Sequence, residues 1–227
     1  SYQADAQYVD TMNVVLIYDQ DRFEDVKYFQ KAFALIKQET AAKLSFTYFD
    51  RNSLDTSVPY QQAFNNKPDW LFYLSSHKLD HKIIQALTTG TNLFVDAQNP
   101  QENSLLSTAS KINKNSSALL DTEALFYQHA LPLDVTEQLN PKPTSVYKEI
   151  LWQFTQPDGA SAAMLSKTTN SYQSNAIASY VYQLYSRFTP SWSNLIVSKQ
   201  FPLFLQALLF QQWQTTRLAE QQTLTHE

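Results

Sequence analysis

The sequence predicts an α/β domain with a mainly parallel central sheet flanked by helices, an antiparallel hairpin extension and a closing C-terminal helix. Between Asp69 and Gln98, two apolar runs are separated by a helical segment, which is the pattern of a strand, a crossover helix and a strand. A similar unit precedes it. Strands joined by helices lie parallel in one sheet. A hairpin pattern near Gly159 adds the antiparallel part.

Residues 1–115 contain the parallel half. Asn13 to Tyr18 is a run of aliphatic residues typical of a buried strand. A helix is predicted from Phe23 to about Ala41, and Lys43 to Phe49 alternates as a second strand. The helix has one apolar stripe, formed by Val26, Phe29, Phe33 and Ile36. Arg51 to Pro68 is predicted to be a loop with a short helix around Tyr60 to Phe64.

The second strand–helix–strand unit begins with Trp70 to Leu74 and ends with Leu93 to Val95. Between them a helix is predicted from its apolar spacing, followed by a Thr-Thr-Gly turn at Gly90. The apolar positions of that helix are Leu79, Ile83, Ile84 and Leu87. Asn99 to Asn115 is polar and is expected to be mostly surface, with room for a short helix near Leu105.

Residues 116–227 change in pattern. Tyr147 to Thr155 and Ala160 to Lys167 flank a Pro-Asp-Gly turn and predict a β-hairpin. Ala176 to Phe188 is predicted to be a longer strand. Phe201 to about Gln222 closes the chain as an amphipathic helix with Pro202 in its first turn. Its inward positions are Leu205, Leu208, Leu209 and Trp213.

Composition limits the possible functions. The 227 residues are 43% hydrophobic and 17% charged, which is typical of one globular domain. A net charge of -4 without a basic cluster does not favour nucleic-acid binding. Two distant glycines exclude the standard phosphate-binding loops and the G-x-S-x-G elbow, and the absence of cysteine excludes thiol nucleophiles. No signal peptide or membrane-spanning run is present, and the polar ends suggest a domain cut from a longer protein.

Polar residues follow the predicted parallel strands, where α/β sheets place their sites. Converging aspartates could bind a divalent cation or act as acid and base, but aspartates also cap the helices that follow. We expect no cofactor and no resident metal. The residues of this candidate crevice are Asp19, Asp21, Asp50, Ser75, Ser76, His77, Asp96 and Gln98.

Two further readings concern the segment after the third strand. Ser75 or Ser76 with His77 could form a nucleophile and its base, or a serine could simply cap the next helix. His77 and His81 lie one helical turn apart and could share a metal only if a third ligand joined them. We favour the cap and regard the histidine spacing as incidental.

A compact aromatic turn follows the last strand. Arg187 precedes Phe-Thr-Pro-Ser-Trp-Ser, with Trp192 near its centre. This turn could be an interaction loop in which Trp192 contacts a partner. Alternatively, Trp192 packs under the last helix and Arg187 stacks on it or pairs to hold the loop.

Two stretches resemble known families. Thr88 to Gln98 (TTGTNLFVDAQ) resembles a segment of class I glutamine amidotransferase-like domains. Ser186 to Phe210 resembles the end of the extracytoplasmic domain of bacterial membrane proteins of the Bat (aerotolerance) type. The resemblance implies a flavodoxin-like domain held outside the cytoplasmic membrane. Amidotransferases carry a cysteine nucleophile after this kind of strand, whereas Asp96 to Pro100 and the rest of this chain contain none.

These observations predict a non-catalytic interaction or sensing domain of a membrane-anchored bacterial protein, on the periplasmic face of the inner membrane. Its expected partners are other membrane or extracytoplasmic proteins of the same system, and its membrane attachment would come from segments outside this sequence. A hydrolase using the serines with His77, or the aspartates with a metal, is the first alternative. A small-ligand site at the strand-end crevice is the second.

Overall fold

The computed structural model describes residues 11–40, 43–53, 64–79, 83, 90–98, 111–119, 133–139, 148–155, 161–169 and 180–210. Within these residues the chain forms a nine-stranded mixed sheet with helices packed on it. The strands are β1 (Met12–Tyr18), β2 (Leu44–Asp50), β3 (Trp70–Leu74), β4 (Asn92–Val95), β5 (Lys111–Leu119), β6 (Leu133–Leu139), β7 (Glu149–Thr155), β8 (Ser161–Thr169) and β9 (Tyr180–Leu184). Helix α1 is Phe23–Glu39, and α2 includes residues 201–210. Short 3-10 helices cover Gln20–Arg22 and Arg51–Ser53.

The predicted parallel sheet is confirmed. The strand order is β2-β1-β3-β4-β9-β8-β7-β5-β6, and the first five strands in this order pair in parallel. β1 and β3 are almost entirely buried because layers of apolar side chains cover both of their faces. Gly90, before β4, has φ of 95°, a left-handed conformation that glycine adopts without steric cost.

The other strands pair antiparallel and extend the sheet. β7 and β8 form the predicted hairpin. β9 ends at Leu184, before the predicted end at Phe188, and it joins the two parts by pairing parallel with β4 and antiparallel with β8. The division of the chain at residues 115 and 116 falls inside β5, so both halves contribute to one sheet.

The sequence analysis identified no strand between Asn99 and Asn115, but a strand begins within this stretch. β5 begins at Lys111, pairs antiparallel with β6, and meets β7 at Ala118 and Leu119. Its sequence, KINKNSSAL, has few apolar residues and no regular alternation. A strand of this kind is held by pairing with its neighbours rather than by its own propensity, so its sequence does not reveal it.

The larger apolar core lies between the sheet and the two helices. Phe29 of α1 is its centre, with ring centroids 5.6, 5.0 and 5.1 Å from those of Phe72, Phe188 and Phe201. The predicted buried stripe of α1 is confirmed, as are the inward positions of α2 that the structure describes. These inward positions are Leu205, Leu208 and Leu209, while Trp213 lies outside the described residues.

The opposite face of the sheet is covered by a smaller core. Leu79 and Ile83, two of the apolar positions predicted for the crossover helix, are buried there against side chains of β1, β3 and β4. Ile83 is helical, whereas Leu79 is not, so the prediction that the helix includes Leu79 is wrong. Phe64 is helical and buried in the same cluster. Ile84, Leu87 and residues 54–63 lie outside the described part of the chain. Among the helices that the structure describes, none is long and apolar enough to cross a membrane.

Candidate functional site

The candidate site lies at the carboxyl ends of the parallel strands. β1 lies between β2 and β3, so the connections from β1 to β2 and from β2 to β3 run in opposite directions along the sheet. A crevice is expected at the carboxyl ends of the strands where the strand order reverses in this way. Asp19 follows β1 at this edge, Ser75 follows β3 and Asp96 follows β4.

Asp19 is the centre of the Asp19 network, which consists of Asp19, Arg51, Ser75, Ser76 and His77. Its Oδ2 accepts hydrogen bonds from the Ser75 hydroxyl at 2.8 Å and from the Ser76 backbone N–H at 3.1 Å. Its Oδ1 accepts a hydrogen bond from Arg51 Nε at 2.7 Å. His77 Nδ1 lies 3.1 Å from Oδ2. One carboxylate therefore ties together the ends of β1, β2 and β3.

Asp19 is buried, with only 6% of its surface exposed, and it is nevertheless held as an anion. Burial is the largest single influence and raises the pKa of its carboxyl. The hydrogen bonds from Arg51, Ser75, His77 and Ser76 together outweigh burial and lower this pKa below its ordinary value. The charged form of Asp19 is therefore part of the folded structure.

The Ser75 hydroxyl bonds to Asp19 and not to the imidazole of His77. Ser75 is fully buried, and its Oγ also accepts a hydrogen bond from the His77 backbone N–H at 3.0 Å. A serine hydrolase needs the hydroxyl to donate to the imidazole and the imidazole to donate to a carboxylate. In this network the carboxylate accepts directly from the serine. Acceptance from the N–H two residues further along is a serine turn, and residues 75–79 are not helical, so the helix cap that we favoured from the sequence does not form at Ser75.

The His77 ring is oriented by Asp19 and partly exposed. Its Nδ1 lies 3.1 Å from Asp19 Oδ2 and 3.3 Å from Arg51 Nη2. One nitrogen cannot donate to the carboxylate and accept from the guanidinium at once, and the carboxylate is the stronger partner, so we assign the proton to Nδ1. The side chains of His77 and Arg51 are 45% and 26% exposed. A small-ligand site beside them stays a prediction.

Asp96 belongs to a second group, the Arg22 cluster of Arg22, Asp25, Asp96 and Thr189. Arg22 Nε donates to Asp25 Oδ2 at 2.5 Å, and Arg22 Nη2 donates to Asp96 Oδ2 at 2.6 Å. The Thr189 hydroxyl donates to Asp25 Oδ2 at 2.9 Å. The cluster joins the end of β4, the start of α1 and the turn after β9 in a buried setting.

The charges of the Arg22 cluster depend on each other. Burial alone would lower the pKa of Arg22, but attraction to Asp96 and Asp25 outweighs it and raises the pKa above its ordinary value. Complete burial raises the pKa of Asp96, and the Arg22 guanidinium opposes that rise. Among the described residues, buried Arg22 Nη1 and Asp96 Oδ1 have no hydrogen-bond partner. Removing either residue would leave the other poorly satisfied.

The strand-end aspartates do not meet at one point, because Asp19 and Asp96 bond to different arginines. Asp50 Oδ1 accepts a hydrogen bond from the Asn52 backbone N–H at 2.8 Å in its own turn. Asp21 is exposed, and Gln98 is buried. No group of three or more histidine, aspartate or glutamate side chains in the described residues could hold a metal. His81 lies outside them.

The structure favours the packed alternative for the turn after β9. Trp192 is 9% exposed and packs on Ala97. The Arg187 guanidinium lies 4.5 Å from the centre of the Trp192 ring, and its Nε donates to the Ala97 carbonyl at 2.8 Å. Ser193 Oγ donates to the Arg187 carbonyl at 2.9 Å. Arg187 and Trp192 thus hold the turn against the segment after β4.

Replacing Arg187 with alanine is expected to lower the free energy of unfolding by about 1–2 kcal/mol, because both the stacking on Trp192 and the bond to Ala97 are lost. Equilibrium unfolding in urea measures this change. Arg187→Lys keeps the charge without the planar guanidinium, so its free energy of unfolding should lie between those of the original protein and the alanine variant. An alanine variant as stable as the original protein would show that the contact does not stabilise the turn.

Arg22 and Arg51 are the site residues that the sequence reasoning missed. Arg51 directly follows the last residue of β2, and Arg22 lies three residues after Asp19. Their positions beside strand-end aspartates were a usable signal, since a carboxylate buried at a sheet edge requires a positive partner. Asp25 gave no such signal, because acidic residues are ordinary in the first turn of a helix.

Comparisons with known proteins support the fold. No known protein family matches the sequence, and no curated protein matches it. A solved structure of a ThuA-like protein from Bacteroides uniformis has a TM-score of 0.51 and 12% identity, over 92% of this chain and 94% of that one. The glutaminase domain of CTP synthase from Trypanosoma brucei, with bound acivicin, has a TM-score of 0.40 and 7% identity, over 90% of this chain and 93% of that one. The chain therefore shares its fold with the ThuA-like protein.

Proposed function

We propose that this chain is a non-catalytic interaction or sensing domain of a membrane-anchored bacterial protein. The observation that carries the proposal is the hydrogen bond from the buried Ser75 hydroxyl to Asp19. It occupies the serine proton that a nucleophile would pass to an imidazole. The strand-end position where enzymes of this architecture place reactive groups is thus used for a structural contact.

The other polar groups of the sheet edge point to the same proposal. Asp19 accepts bonds from four residues, and Asp25 and Asp96 both bond to Arg22. These aspartates balance the charge of neighbouring arginines, which is a structural use of carboxylates at this edge of the sheet. The sequence also has no cysteine to replace the amidotransferase nucleophile.

An interaction role is supported by the surface on the α1 side of the sheet. Large apolar side chains there are between one third and one half exposed. Exposed apolar side chains that lie near one another are typical of binding surfaces. Those on α1, on α2 or on the segment before α2 are Phe23, Tyr28, Leu35, Val197 and Leu203, of which Tyr28, Leu35 and Val197 line one groove.

The proposed compartment and partners rest on the resemblance of Ser186–Phe210 to Bat-type proteins. The domain would work outside the bacterial cytoplasmic membrane, attached through segments outside this sequence, and would contact other extracytoplasmic proteins of its system. The resembling segment includes the turn of Arg187 and the start of α2, which build part of the apolar core. The likeness therefore covers residues that shape the domain.

A fluorophosphonate probe tests the non-catalytic part of the proposal. Such probes react with serines that are activated as nucleophiles. We expect intact-mass measurement to find no adduct on Ser75 or Ser76 of the purified chain, while a serine hydrolase treated in parallel is fully modified. An adduct that disappears in Ser75→Ala or Ser76→Ala would make the chain a hydrolase and overturn the proposal. Hydrolysis of ester or amide substrates that EDTA abolishes would do the same through a metal.

A further inference from the structure

We propose that a groove between α1 and the start of α2 binds a single acidic, amphipathic segment of a partner protein. The α1–α2 groove has a volume of about 210 Å³. Tyr28, Lys31 and Leu35 of α1 line one side, and Val197, Lys199 and Pro202 line the other. The inference rests on the proposed interaction role and names the surface and the partner chemistry for it.

The floor of the groove is part of the folded core. Ala32 and Phe201 lie at its base and are each only 2% exposed. The Phe201 ring packs edge-on against Phe29, with centroids 5.1 Å apart. Such a floor is held in place before a partner arrives, so binding does not have to order it.

The walls of the groove expose apolar side chains to solvent. Tyr28, Leu35 and Val197 are 37%, 39% and 47% exposed, and each has some of its surface in the groove. A groove of this shape, between two elements, suits an amphipathic segment that places large apolar side chains along it. A flat lipid surface would reach only the rims of the walls.

The charge of the lining selects the chemistry of the partner. Its two charged residues are Lys31 and Lys199, and it contains no aspartate or glutamate. Neither lysine forms an ion pair within the described residues; Lys31 Nζ lies 5.9 Å from the centre of the Tyr28 ring. Acidic side chains beside the apolar positions of a partner would complement both ammonium groups.

A second copy of this chain is a poorer occupant. In a two-fold symmetric contact the same patch lies on both subunits. Lys31 and Lys199 of one copy would then approach the same lysines of the other, and like charges oppose such a contact.

Selection of peptides from a random display library against the whole purified chain tests the inference. We expect enriched peptides that combine large apolar residues with aspartate or glutamate, and whose affinity falls as salt is added. Fluorescence anisotropy of the synthesised peptides should show binding weakened about tenfold by Lys31→Glu with Lys199→Glu. Val197→Asn should weaken it less and without changing the salt dependence.

Lys37→Glu with Lys43→Glu is the matched control, because it changes the net charge equally at exposed positions outside the groove. It should leave peptide binding within about twofold. Far-ultraviolet circular dichroism establishes that each variant is folded. A groove variant that keeps full peptide affinity overturns the inference, as does selection without acidic enrichment.

The remaining outcomes separate this inference from the proposed function. Binding to vesicles of phosphatidylglycerol and phosphatidylethanolamine that the groove variant abolishes, without peptide binding, would assign the groove to lipid and overturn the inference. Dimerisation that the same variant abolishes would assign it to a second copy. Peptides that bind at another surface would overturn the assignment of the binding site to the groove, while the proposed interaction role would stand. A fluorophosphonate adduct on Ser75 would remove the non-catalytic role whatever the groove binds.

Discussion

Replacing Arg22 with methionine is expected to lower the free energy of unfolding by about 3–5 kcal/mol, which is the usual cost of breaking a buried ion pair by removing one partner. Arg22 is the common partner of Asp25 and Asp96, whose side chains are 5% and 0% exposed. Without the guanidinium, both carboxylates lose their ion pair while they remain buried. Urea unfolding followed by circular dichroism measures the change.

Two further variants show whether the loss comes from the buried charges. Lys27→Met removes an ion pair with Glu24 on the exposed side of α1, and exposed pairs contribute about 0–1 kcal/mol. Adding Asp96→Asn to Arg22→Met should restore part of the lost stability, because it removes one uncompensated charge. Equal losses for Arg22→Met and Lys27→Met would show that the Arg22 cluster does not stabilise the fold.

Replacing Asp19 with asparagine is expected to lower the free energy of unfolding at neutral pH by about 1.5–3 kcal/mol, the range for hydrogen bonds to charged groups. Asparagine has only one acceptor oxygen, so it loses either the bond that Arg51 donates to Oδ1 or the bonds that Ser75 and the Ser76 backbone donate to Oδ2. Asp21→Asn, at an exposed position two residues away, should change stability by less than about 0.5 kcal/mol.

The effect of Asp19→Asn should depend on pH in a defined direction. The pKa of Asp19 is lowered in the folded protein from an ordinary value of 3.8. The unfolded chain therefore takes up this proton first as pH falls, and the stabilisation by Asp19 is complete above pH 3.8 and lost as pH falls through the folded pKa. The stability difference between the two proteins should thus be constant near neutral pH and shrink below pH 3.8. A difference that grows in acid would contradict the lowered pKa.

The sequence was most informative where apolar residues repeat over short distances. β3 was predicted at its observed bounds, and β1 and α1 to within a few residues. Their burial pattern is local and directly visible in the order of residues. β5 was missed because its residues pair with strands far along the chain and carry no pattern of their own.

Only part of the candidate site could be predicted, because only its local part is visible in short stretches of sequence. The positions of Asp19, Ser75 and Asp96 after strands followed from the predicted elements, whereas their partners did not. Asp19 meets Arg51 across 32 positions of sequence and Asp96 meets Arg22 across 74. Such distant pairings depend on strand order and side-chain direction, which no short stretch of sequence specifies.

The sequence by itself determined that this chain is an α/β domain, that it has no thiol nucleophile, and which polar residues end its strands. Only the tertiary structure decided how those residues are used. In the folded chain the Ser75 hydroxyl donates a hydrogen bond to Asp19, Asp19 and Asp96 pair with different arginines, and Lys31 and Lys199 lie beside one apolar groove. The physical reason is that the burial pattern of a helix or strand is visible in a few consecutive residues, while hydrogen bonds and charge pairs form between elements that the sheet brings together.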